Sequence, residues 1–143
     1  MLKPYVCVAC EKVIIAKDDV ASLIGLFNKI MIAIPEDTEI PKNAVAPNQW
    51  AIFSSWDCEP GDELKEYLIC TQVLYPDQTQ FMEIVKGKVN VQPNKRSQVN
   101  TGVNGFPIGQ FGKYTIRVWI EENQQTVAGP IEFKIELEAA KQE

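Results

Sequence analysis

From Lys113 to Glu121, and again from Pro130 to Glu138, apolar and polar residues alternate one by one. A period of two is the repeat of a β-strand whose two faces meet different surroundings. Tyr114, Ile116, Val118 and Ile120 point one way, and Ile131, Phe133, Ile135 and Leu137 match them across a hairpin. Thr115, Arg117, Glu121, Glu132, Lys134, Glu136 and Glu138 are left for water. One buried face and one wet face is what an antiparallel sheet allows.

Alternation and turn residues extend the pattern along the chain. Eight strands are expected, at about residues 4–15, 21–34, 49–57, 66–75, 80–91, 97–103, 113–121 and 130–138. Turn-rich breaks separate them, such as Glu59-Pro60-Gly61-Asp62 and Gln92-Pro93-Asn94-Lys95. Asp62 to Glu66 could form one helical turn, and no long amphipathic helix is present. Gly25 and Gly87, inside expected strands, suggest bulges. The reading is all-β: one domain over 1–143, a two-sheet antiparallel sandwich of about eight strands, immunoglobulin-like or C2-like, with a barrel as the alternative.

The chain has no histidine, which removes the commonest general acid/base and the commonest metal ligand. Its formal net charge is −5, so phosphate backbones repel it and nucleic acid is not an expected partner. The opening Met1 to Lys12 is interrupted by Glu11 and Lys12 and does not read as a signal peptide. No stretch approaches the roughly 18 apolar residues needed to span a membrane. The expected location is the cytoplasm, with reduced thiols.

Three segments occur in order: Cys10-Glu11, then Ser22-Leu-Ile-Gly-Leu-Phe27, then Pro107 followed by Gly112-Lys-Tyr-Thr-Ile-Arg-Val-Trp-Ile120. In these the chain resembles a family of short bacterial β-sandwich proteins of no assigned function. Its members pair a C-E…S-L-I-G start with a G-x-Y-x-x-x-V strand. The likeness covers nearly the whole chain. It implies the sandwich fold and a bacterial source, and it carries over no functional residue.

Two metal readings arise from the residues. Cys7 and Cys10 have the spacing of a zinc half-site or a redox pair, with Cys58 and Cys70 as the remaining thiols. Inside a strand, however, residues three apart point to opposite faces, so buried small side chains are the plainer reading. Asp18, Asp19, Asp57, Glu59, Asp62 and Glu63 would gather at one end of an up-and-down sandwich and offer calcium its oxygen ligands. The alternative there is a solvated acidic end, partly neutralised by Lys95 and Arg96. No cofactor is expected.

Aromatic residues mark candidate contact surfaces. Trp119 alternates with Val118 and Ile120 and so falls on the wet face beside Arg117. Exposed tryptophan next to arginine is the composition of a protein interface. Trp50 and Trp56 share parity with Ile52, which favours the core. Trp50, Phe106 and Phe111 also flank the end that collects Pro35, Pro41, Pro47, Pro76 and Pro107, including a long connection over 35–48. That connection would bind a partner or act as a structural lid.

Histidine-free catalysis finds little support. No Gly-x-Ser-x-Gly, P-loop or Ser-x-x-Lys motif is present. Asp57 with Glu59 is a carboxylate pair that surface charge explains equally well. The expectation is a non-catalytic cytoplasmic module working by protein–protein contact, self-association included. The alternatives are a calcium-dependent C2-like module acting on lipid or ligand, and an enzyme with carboxylate chemistry.

Overall fold

The computed structural model describes residues 2–17, 20–33, 39–61, 65–91 and 96–140. It holds β1 (Lys3–Ile15), β2 (Ala21–Leu26), β3 (Lys29–Ile32), β4 (Val45–Asp57), β5 (Glu66–Leu74), β6 (Val85–Asn90), β7 (Ser97–Pro107), β8 (Gly112–Glu122) and β9 (Gln125–Ala139). They form two sheets, β2-β1-β4-β7 and β3-β9-β8-β5-β6. The two sheets pack around one shared cluster of buried side chains, so the arrangement is sandwich-like.

The alternation holds where it was clearest. Tyr114, Ile116, Val118 and Ile120 are all buried, and Ile135 and Leu137 join them from β9. From the other sheet come Ala9, Trp50, Ile52, Trp56 and Val103. The parity of Trp50, Ile52 and Trp56 is thus the core parity. Ser54 shares it, and Ser54 Oγ and Trp56 Nε1 are buried with no hydrogen-bond partner among the described residues. Thr71 of β5 and Thr101 of β7 bridge the sheets, Oγ1 to Oγ1, at 3.4 Å. Thr115, expected in water, is instead buried, with the Lys134 ammonium donating to its hydroxyl.

Three features depart from the expected layout. The segment 21–34 is two strands in two different sheets. Gly25 turns the chain with φ of +69°, and a Cβ there would press on the Glu11 side chain. Phe27 then drops into the core against Trp50, with ring centroids 5.8 Å apart, and its N–H donates to the Ala9 carbonyl. The chain therefore crosses between sheets at Phe27-Asn28, and β3 pairs in parallel with β9. The structure is not wholly antiparallel, and it has nine strands among the described residues.

The second departure concerns 80–91, which is strand only from Val85. Phe81 packs edge-on to Tyr75 at 5.6 Å, and this irregular segment caps the core. Third, neither Gly25 nor Gly87 sits at a ladder shift. The shifts lie between Pro4 and Val6, between Ala46 and Gln49, and in β8 around Trp119. Opposite Trp119, Gly129 and Pro130 fill the gap between partners Ala128 and Ile131. Gly129 has φ of +83°, and a Cβ there would stand 3.2 Å from the Trp119 backbone. Such bulges re-aim the facing side chain.

The β1–β2 hairpin curls away from the flat sheet. Ala51, Phe53 and Ser55 of β4 alternate with the core residues and so face outward, yet all three are buried. Phe53 and Ser55 share a groove with Ile15, Ala21 and Leu23 of the hairpin. The hairpin thus bends over the outer face of its own sheet.

Candidate binding surfaces

The sheet of β8 and β9 carries the tryptophan–arginine pair, and its own side chains hold both residues. Trp119 is half-buried and stands opposite Cys70 in the β5 register, and Cys70 is fully covered. Its indole Nε1 donates to Glu121 at 3.1 Å, and Lys86 donates to the same carboxylate. These hydrogen bonds hold the Glu121 carboxyl below its ordinary range, the tryptophan contributing most. Burial, with Glu121 behind it, pushes the Cys70 thiol up to about 11. Arg117 Nε lies 2.6 Å from Glu132. That approach is close but poorly directed, an ion pair without a sound hydrogen bond. This face is a lattice of cross-strand pairs whose polar groups mostly satisfy one another.

Trp50 and Phe106 are closed to a partner by burial. Both are at least 95% covered, and Trp50 Nε1 donates to the Gly105 carbonyl at 2.9 Å. A depression of about 700 Å³ between Glu11, Lys29 and Pro47 reaches only their edges. They belong to a chain of rings, Phe27–Trp50–Phe106–Tyr114–Tyr75–Phe81, with successive centroids 5.5–5.8 Å apart. Offset or tilted packing of this kind adds to simple burial. Phe111 alone of the group is exposed, at 44%.

The same end is laced together by polar contacts. The Tyr114 hydroxyl donates to the backbone carbonyls of Pro107 and Gln110. Burial pushes its phenol up to about 12. Asp77 accepts from the Thr79 hydroxyl and N–H, from Gln110, and from Lys42 at 3.1 Å. Those donors, Thr79 foremost, hold its carboxyl well below the usual range. Ile108 N–H donates to Ala44, and a Cβ on Gly109 would collide with the Lys42 carbonyl. The described part of the 35–48 connection is therefore pinned down as a lid.

The acidic set is only partly in view. Asp18, Asp19, Asp62 and Glu63, together with Lys95, lie outside the described residues. Asp57 is 2.7 Å from Arg96, whose guanidinium also stacks 3.5 Å above the Tyr5 ring. Lys3 stands 2.6 Å from Glu59 and holds its carboxyl below the ordinary value. Among the described residues no three potential metal ligands lie together.

The cysteines are not brought together either. In the β1–β4 register Cys7 faces Ser54 on the core side, and Cys10 faces Ala51 on the other. Cys70 is on the second sheet, and Cys58 follows the end of β4. Burial pushes the Cys7 thiol up to about 12 and raises that of Cys10. Raised thiols are poor nucleophiles and poor metal ligands.

One surface was not singled out in the sequence. The β1–β2 hairpin exposes Ile14, Ile15, Val20, Ile24 and Leu26 at 44–61% each. Ile14 and Ile15 are neighbours in a strand, so both faces of the hairpin carry exposed apolar surface. β2 ends its sheet and reads Ala-Ser-Leu-Ile-Gly-Leu, without a charge or a proline. Beneath the hairpin runs a groove of about 1240 Å³, with an apolar floor including Val6 and Phe53. Its rim carries Asp57, Lys88 and Arg96. The signal available in the sequence was the uncharged run itself, which alternation had assigned to an ordinary sandwich strand.

Comparison with protein-family models, with curated proteins and with solved structures finds no match. No helix among the described residues is long and apolar enough to cross a membrane.

Proposed function

We propose that the chain is a non-catalytic, immunoglobulin-like module that works by protein–protein contact through its β1–β2 hairpin. The class rests on strand order. β1-β4-β7 against β9-β8-β5-β6 matches strands A-B-E against G-F-C-C′ of that fold. Tyr114 near the start of β8, bonded to carbonyls just upstream, has the form of the tyrosine corner. Ile116 stands where antibody domains have their second cysteine, so this reading needs no inter-sheet disulfide. A bacterial, cytoplasmic setting belongs to the same reading.

The observation that carries the function is the concentration of exposed apolar side chains on an uncharged edge hairpin. Contiguous apolar surface of this kind marks contact sites. An edge strand offers a further template for strand pairing. The test is capture of binding partners, the chain itself included, by the wild type and by Ile24→Lys with Leu26→Lys. Partners held by the wild type and released by the variant support the reading. Unchanged partners in the hairpin variant, with loss on Trp119→Ala, would move the site to the face of β8.

A further inference from the structure

We propose that β2 pairs antiparallel with β2 of a second copy, joining two four-stranded sheets into one of eight strands. This rests on the hairpin being the contact surface, and it names the partner. Four strands end the two sheets, and three of them are guarded. β6 carries Lys86 and Lys88 along its 6 residues. β3 is only 4 residues long and opens with Lys29. β7 is flanked by β6, where a Cβ on Gly87 would stand 3.4 Å from Val99. Charge, brevity and cover are the devices by which edges avoid pairing. Among the described residues β2 has none of them.

Charge directs a contact between two copies to this edge. The net charge of −5 opposes self-association across most of the surface. A two-fold axis at β2 opposes only neutral residues. With the axis perpendicular to the sheet at Ile24, that residue faces its own copy and Ser22 faces Leu26. No like charges meet across the strands.

Area bounds the contact. The five exposed side chains offer on the order of 400 Å² of apolar surface per copy, so a dimer would bury at most roughly 800 Å² from them, plus the strand edges. With the strand edges added this approaches the roughly 1,000 Å² that specific interfaces need, so the association is expected to be weak, with a dissociation constant on the order of 10 µM or above.

The experiment is sedimentation velocity on the full chain from roughly 1 to roughly 300 µM, with circular dichroism on each variant. The wild type is expected to pass from monomer to dimer across this range, and Ile24→Lys to stay monomeric. Ile24→Cys, mildly oxidised, is expected to form an intermolecular disulfide, since opposed Cα atoms in such a pair are about 4.5–5.5 Å apart. A Lys88→Cys control, on the edge strand β6 and opposite Leu68, is expected not to. A wild type that stays monomeric throughout overturns the proposal. So does a dimer that survives Ile24→Lys without a cross-link at position 24. Should Ile24→Lys not fold, the wild-type series and the cross-link decide alone. A monomeric wild type with hairpin-dependent capture of another protein would refute the copy as partner and leave the contact surface standing.

Discussion

The two most different regions of this protein are the end around Tyr114 and the hairpin of β1 and β2. At the first, aromatic rings touch in series and a single carboxylate, Asp77, holds Thr79, Gln110 and Lys42. At the second, five large apolar side chains stand in solvent and β2 carries no charge. A region whose groups satisfy one another is built for stability. A region that leaves apolar surface and a strand edge open is where the proposed contact falls.

The largest expected effect lies at the closed end. Trp50→Ala removes a buried ring that touches Phe27 and Phe106, and should cost about 3–5 kcal/mol by urea unfolding. A loss below about 1 kcal/mol would mean that the ring series is not the brace described above.

Tyr114→Phe comes next. It strips the donor from two carbonyls and should cost about 1–3 kcal/mol. It should also change the alkaline limb of stability. The folded phenol is raised to about 12, above its unfolded value near 10. Its contribution is therefore complete below about pH 10 and lost as pH rises through about 12. Thermal midpoints measured across that window should fall more steeply for the wild type than for the variant.

Asp77→Asn should lower the midpoint at neutral pH by a smaller amount, since the carboxylate is exposed and screened. Its folded value is depressed, so its contribution is present above about pH 4 and fades as pH falls below that. The wild type should thus lose its advantage over the variant in acid. An advantage that persists undiminished in acid would mean that the Asp77 carboxylate does not tie Thr79, Gln110 and Lys42 together.

The smallest effect on stability is expected at the hairpin. Ile24→Lys places a charge on a half-exposed edge and should move unfolding by less than about 0.5 kcal/mol. The same change should abolish association. That opposition, a large binding effect with little stability effect, is what separates a working surface from a brace.

The strongest parts of the fold were legible where one face of a strand meets oil and the other meets water. β8 and β9 are such strands, and their inward residues were readable one by one. So was the core parity of Trp50 and Trp56. β3 was not legible, because its pairing with β9 depends on Phe27 being drawn to Trp50 from another strand. Trp119 was placed on the right face, but its tie to Glu121 depends on the β9 bulge and on Lys86 of a third strand. The hairpin escaped for a related reason. Alternation shows which residues can be buried, and says nothing of whether a neighbour arrives to bury them. Ile14, Ile24 and Leu26 are apolar residues whose neighbour does not arrive among the described residues.

Amide hydrogen exchange of the wild type at two concentrations, one well below and one well above about 10 µM, decides whether β2 pairs with its own copy. The amides of Ala21 to Leu26 that point away from β1 should exchange quickly in the dilute sample and gain protection in the concentrated one. Those of β8 should be protected equally in both. Exchange in β2 that does not change with concentration would contradict the pairing of this edge with its own copy.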